Sequence, residues 1–103
     1  MSERLAQLTK LHQLDPKDPF LTYGIAMEHS KAQDFDTAII WFDRTLEVDP
    51  NYCYAFYQKA RALSEQGNDD AARQVLTQGM AAATRAGDAH AHSEMAELLS
   101  SLE

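Results

Sequence analysis

Leucine recurs at every third position through Leu5, Leu8, Leu11 and Leu14, and the run stops at Asp15-Pro16, where the proline ring cannot continue a helix. With Ser2 as N-cap, this pattern predicts a first helix over roughly residues 3 to 14. Asp18 followed by Pro19 has the form of a cap and a first helical position, and the second helix runs to about Lys31. Ala32-Gln33-Asp34-Phe35-Asp36 is the turn, with Asp36 or Asp34 as cap, and a third helix extends to about Val48 before a second Asp-Pro. Asn51 or Tyr52 begins a fourth, which ends near Gln66 because Gly67 supplies a left-handed residue. Asp69 or Asp70 opens a fifth, running to about Ala86, where Gly87 closes it. Asp88 caps the sixth, which carries Ala91, Met95, Leu98, Leu99 and Leu102 on one stripe. The pattern predicts an all-α chain of six helices.

These elements repeat. Leu14-Asp15-Pro16 returns as Val48-Asp49-Pro50, and at that offset of 34 residues Leu5 falls on Ile39, Leu8 on Phe42, Phe20 on Tyr54, Tyr23 on Tyr57, Ala26 on Ala60, Ala38 on Ala72 and Leu46 on Met80. Apolar lands on apolar and small on small. A fixed period of this length is the signature of stacked helical hairpins, in which each unit buries its apolar face against the next.

Composition narrows the partners. Hydrophobic residues make up 45% and charged residues 24%, as in an ordinary globular domain. The polar start Met1-Ser2-Glu3-Arg4 has no apolar stretch behind it, so a signal peptide is not expected and a cytoplasmic location is. A formal charge of -7, from 9 basic and 16 acidic residues, repels phosphate backbones and anionic lipid heads, so neither nucleic acid nor a membrane is an expected partner. Cys53 stands alone, forms no intrachain disulfide and is expected to act as a small apolar group.

On these residues, 19 to 52 and 53 to 86 resemble two tetratricopeptide repeats, and 3 to 16 resemble the second helix of a preceding one. The family pattern places small residues eighth and twentieth, a large apolar residue twenty-fourth and proline thirty-second. Here those places hold Ala26, Ala38, Phe42 and Pro50, then Ala60, Ala72, Leu76 and Thr84. Small side chains let paired helices approach, and large ones fill the groove opposite. Thr22 and His29 depart from the pattern where large apolar groups are usual. Lys59 stands where leucine or isoleucine is usual, and must snorkel its ammonium to water or meet a carboxylate. The helix over 88 to 102 no longer follows the repeat, as suits a cap on the open end of a stack. The resemblance implies a single right-handed α-α superhelix spanning residues 1 to 103, and a non-catalytic protein–protein interaction module that needs no cofactor.

It also implies where a partner binds. In the family the first helix of each pair lines the concave side, which places Phe20, Tyr23, Gly24, Met27 and Lys31, then Tyr54, Tyr57, Gln58, Arg61 and Glu65, on that wall. Aromatic, methionine and arginine side chains dominate binding energy at protein interfaces. The competing expectation is that Phe20, Tyr23, Tyr54 and Tyr57 fill packing within the repeats. Only Lys31, Gln58 and Arg61 could grip an anion, which argues against the family's clamp for chaperone tails. The guest is therefore a peptide or helix of another protein bringing apolar side chains or a basic segment. The alternative function is self-assembly as a homodimer. Ile40 and Trp41 sit in a charge-free run from Ala38 to Phe42 and are either covered by the first helix or exposed to a second copy. Of the histidines, His90 and Glu94 share a helix face, but His92 points elsewhere and nothing in sequence completes a tetrahedral metal set. No phosphate loop or nucleophile–base pair is apparent, and Asp69-Asp70 suits a helix start.

Overall fold

The computed structural model describes residues 2–103; Met1, the first residue of the polar start noted above, lies outside the described residues. Its helices are α1 (Glu3–Leu14), α2 (Pro19–Lys31), α3 (Phe35–Val48), α4 (Cys53–Glu65), α5 (Asp69–Ala86) and α6 (Ala89–Ser101), with no strand among the described residues. Each N-terminus leaves backbone N–H groups without helical partners, and side-chain oxygens take them up. Ser2 Oγ accepts from Leu5 N, Asp18 Oδ1 from Phe20 N and Asp88 Oδ1 from Ala91 N, at 2.9, 2.9 and 3.0 Å. Asp34, not Asp36, caps α3. Asp69 opens α5 as expected, with Asn68 as its cap. Helix α4 starts at Cys53, later than expected, and its cap Tyr52 makes no side-chain hydrogen bond.

The turns inside the two hairpins share one geometry. Asp34 N donates to His29 O and Asn68 N to Leu63 O, both at 2.9 Å, positions 34 residues apart. In each, the residue before the donor takes a left-handed conformation: Gly67 with φ 81° and Gln33 with φ 61°. Glycine adopts that conformation freely and glutamine at a cost.

Helices α2 with α3 and α4 with α5 form the closest pairs, while α1 packs on α2 and α6 on α5. The backbones of α2 and α4, and of α4 and α6, come within 8 Å of one another. Those of α1 and α3, or α3 and α5, do not. The even-numbered helices thus form the tighter, inner wall of a curved stack whose overall extents are 38 × 29 × 18 Å. Three core clusters lie along it. Leu8, Leu21 and Ile25 make the first; Ala26, Ala38, Phe42 and Ala55 the second; Cys53, Ala60, Ala72, Val75, Leu76, Ala83, Ala91 and Met95 the third. The small residues Ala26, Ala38, Ala60 and Ala72 and the large Phe42 and Leu76 are all fully buried. Met95 on α6 is likewise buried in the third cluster, with Leu98, Leu99 and Leu102 packed around it, so α6 covers the end of the stack beyond α5.

The departures from the repeat pattern are paired. Thr22, where a large group was expected, is buried and donates to Pro19 O, while accepting from the buried Thr45 hydroxyl at 2.8 Å. One period later the same two positions are Phe56 and Gly79, and a Cβ on Gly79 would lie 2.6 Å from Phe56 Cβ. One repeat fills the space between its helices with two hydrogen-bonded threonines, the other with a ring laid over a glycine. Lys59 meets Asp43 of α3 at 2.7 Å, the carboxylate its position called for. His29 Nδ1 lies 3.7 Å from Asp34 Oδ2 beside the turn.

The apolar run on α3 divides. Trp41 is half-buried, with the His12 ring of α1 edge-on at 5.1 Å and the Arg44 guanidinium 4.3 Å from its centroid. Ile40 is exposed, as are Leu11 and Leu14 on α1. Among the described residues, no helix is long and apolar enough to cross a membrane.

Candidate peptide-binding hollow

On α2, residues 23, 27 and 31 recur one helical turn apart and so share a face. That face carries Tyr23, Met27 and Lys31 toward α4, which answers with Tyr54, Tyr57, Gln58 and Arg61. Met27, Lys31, Gln58 and Arg61 line one cleft of about 330 Å³ together with Ser30, Gln33, Phe35, Ala62 and Glu65. Tyr23 and Tyr54 line a second, of about 390 Å³, at the other end of the helices, with Asp49, Asn51, Tyr52, Cys53, Ala86 and Asp88. Tyr57 borders a third, of about 380 Å³, between α4 and α6, with Glu94, Glu97, Leu98 and Ser101. Phe20 lines none of these and is 60% exposed. Gly24 is buried against α1, where an added Cβ would touch Leu8 at 3.2 Å, so it does not face the hollow.

The aromatic groups serve packing and surface at once. The Tyr23 ring lies 5.9 Å from Phe42 and 5.0 Å from Tyr52, and packs on the second core cluster. Burial, reinforced by the neighbouring Tyr52 phenol, pushes the Tyr23 hydroxyl up to about 12. Tyr54 and Tyr57 sit edge to face at 6.3 Å against the third cluster, and the Tyr54 hydroxyl donates to Glu94 Oε1 at 3.4 Å. The Arg61 guanidinium lies 6.0 Å from the Tyr57 centroid, at the edge of cation–π range. Among the described residues Arg61 has no carboxylate within 4 Å, whereas Lys31 reaches the buried Glu28 at 3.3 Å. Glu28 also accepts from Ser2 Oγ and pairs with Arg4, which ties α1 to α2.

Two contributions to the hollow were missed. Tyr52 sits at a cap, outside the helical periodicity that singled out its neighbours, although its place just after Asp-Pro was visible. Glu94, Glu97 and Leu98 belong to α6, whose departure from the repeat points only to a cap; its seam with α4 depends on how the helices stack. Cys53 is buried, and its thiol is held up by burial, then by the charges of Asp88 and Asp49. His90 pairs with Glu94, and among the described residues no group of three or more metal-ligating side chains comes together.

The comparisons with known proteins agree with this architecture. A tetratricopeptide repeat family model matches residues 41–74. A TPR repeat-containing protein of Pseudomonas aeruginosa is 31% identical over 83 residues, covering 81% of this chain and 79% of that protein. A tetratricopeptide repeat domain protein from Salinibacter ruber superposes with a TM-score of 0.80 at 29% identity, over 86% of this chain and 90% of its own. The TPR2B domain of yeast Sti1, solved in a complex with pHsp70, superposes with a TM-score of 0.89 at 20% identity, over 95% and 78%. At that identity the last likeness concerns the fold alone. The period, the buried small residues and the match along most of a relative's length together place this chain in the tetratricopeptide repeat family.

Proposed function

We infer that the chain is a noncovalent binding module whose inner wall holds a peptide or helix of another protein. The observation that carries this reading is the cleft in which Met27 and Lys31 of α2 face Gln58 and Arg61 of α4. Hydrophobic, amide and cationic groups there converge on open space, with Tyr57 on the adjoining ridge, and such a mixture suits polypeptide better than a reacting small molecule. The Sti1 domain, of the same fold, is complexed with pHsp70; for this chain, a polypeptide guest on the inner wall is our proposal. Phe20, exposed at the start of α2, extends the same contact surface. Binding rather than bond-making is the role this site supports.

Selection of a phage-displayed library of random peptides on the immobilised chain, followed by titration of selected peptides, tests the reading. Tyr57→Ala and Met27→Ala should each weaken the selected peptides about tenfold, the loss usual for a side chain central to an interface. Peptides that bind both variants as well as the parent chain place the contact elsewhere. The exposed Leu11, Leu14 and Ile40 favour a second reading, self-association; a monomer mass in light scattering up to high concentration removes it.

A further inference from the structure

The two ends of the groove between α2 and α4 carry opposite charge. At the start of α4, three phenol rings, Tyr23, Tyr52 and Tyr54, wall a cleft that also takes in the carboxylates of Asp49 and Asp88. Each aspartate uses Oδ1 locally, Asp49 for Asn51 N and Asp88 for Ala91 N, and among the described residues neither Oδ2 meets a donor. Arg85 is close by, its Nε donating to the neutral Asn51 Oδ1 at 3.2 Å, so its charge offsets one of the two carboxylates and leaves this end with a local -1. The Cys53 thiol on the same cleft is pushed up first by burial and then by Asp88 and Asp49, with Arg85 opposing them. Aromatic faces backed by negative charge are the surroundings an organic cation prefers.

Eight residues along α2 from Tyr23 the character reverses. Lys31 and Arg61 stand over the other cleft, where Glu65 is the one lining carboxylate. Lys31 also meets Glu28, which it shares with Arg4, so with both carboxylates counted a local +1 remains, carried by Arg61, and in a chain of net charge -7 it marks this spot as the acid-accepting part of the inner wall. At a rise of 1.5 Å per residue, the two ends lie about 12 Å apart. An extended chain covers that distance in three or four residues.

We propose that the hollow takes an extended segment of a partner protein that seats a lysine or arginine side chain among Tyr23, Tyr52 and Tyr54, and an aspartate or glutamate against Lys31 and Arg61, three or four residues away. Apolar side chains between them pass over Met27 and Tyr57. This rests on the reading of the hollow as a peptide groove and adds what it selects for: a charge pair of fixed spacing.

The test uses the same displayed library, selected on the parent chain and on two variants. Asp49→Asn with Asp88→Asn removes both carboxylate charges while keeping the oxygens that accept the capping hydrogen bonds, since asparagine caps as well as aspartate. Lys31→Gln with Arg61→Gln removes the positive end. Peptides selected on the parent should share a base and an acid at the stated spacing. Those selected on the first variant should lose the base and keep the acid, and those on the second the reverse. A synthetic peptide from the parent set, with its base or its acid changed to glutamine, should bind the unaltered chain about tenfold more weakly, a comparison that needs no variant to fold. Selected peptides that depend on Tyr57 but share no charge pair, or keep the same pair on both variants, overturn the proposal and leave the peptide-groove reading standing. A library from which nothing is enriched removes both.

Discussion

At the scale of single residues, the two hairpin turns set the same demand and meet it unequally. Gln33 and Gly67 both hold positive φ, with equivalent hydrogen bonds closing the turn behind them. A side chain in that conformation costs about 1–2 kcal/mol, while a glycine returns about 0.4–1 kcal/mol of that through the freedom it gives the unfolded chain. Gln33→Gly should therefore raise stability by about 0.5 kcal/mol, and Gly67→Gln should lower it by about the same. Urea unfolding of the two variants checks the sign. If Gln33→Gly is destabilising, the glutamine side chain contributes something to the Met27–Arg61 cleft that it borders.

Between elements, the spacing of each hairpin is set by a pair of facing positions, and the repeats solve it differently. Thr22 with Thr45 is matched by Phe56 with Gly79. A methyl group at position 79 would meet Met95 Sδ at 2.5 Å and Phe56 Cβ at 2.6 Å. The methionine end can swing aside, but Phe56 Cβ is fixed to the backbone of α4, so the helices must part. Overpacking of this kind costs about 1–3 kcal/mol, more than the roughly 1 kcal/mol that alanine gains over glycine in a helix. Gly79→Ala should lower the urea midpoint accordingly, and Gly79→Thr should lose less when combined with Phe56→Thr, which transplants the threonine pair. Additive losses in the double variant would show that the two positions are not coupled.

Over the whole molecule, the ends of the inner helices where the tyrosines gather govern how the fold responds to alkali. Tyr23, Tyr52, Tyr54 and Cys53 all have their proton losses delayed in the folded state, first by burial and then by neighbouring acidic groups or phenols. The unfolded chain releases those protons first, from about pH 9 for the thiol and 10 for the phenols. Above those values it binds fewer protons than the folded chain, so stability falls as pH rises. Below pH 9 both states keep the protons and the effect vanishes. Between pH 10 and about 12 Tyr23 contributes a share of this loss, and Tyr23→Phe should flatten the decline in urea-unfolding free energy over that window. An unchanged slope would mean that the Tyr23 hydroxyl is solvated in the folded protein.

Sequence by itself determined the elements and their order, because caps and prolines are local signals that act within a turn or two of helix, and the 34-residue period repeats them hairpin by hairpin. Ser2, Asp18 and Asp88 cap where they were expected, and Ala26, Ala38, Phe42, Ala60, Ala72 and Leu76 are buried where the period puts them. Tertiary structure alone decided what lies between elements. It half-buried Trp41 against α1 and left Ile40 exposed, turned Gly24 toward Leu8, and matched Thr22 with Thr45 across a hairpin. It also brought Glu94 and Glu97 beside Tyr57, and carried the loop residues Asp49, Tyr52 and Asp88 to the end of the hollow. Periodicity reports which face of a helix is apolar; which neighbour that face meets depends on crossing angle and spacing, and these follow from the fit of side chains that are distant along the chain.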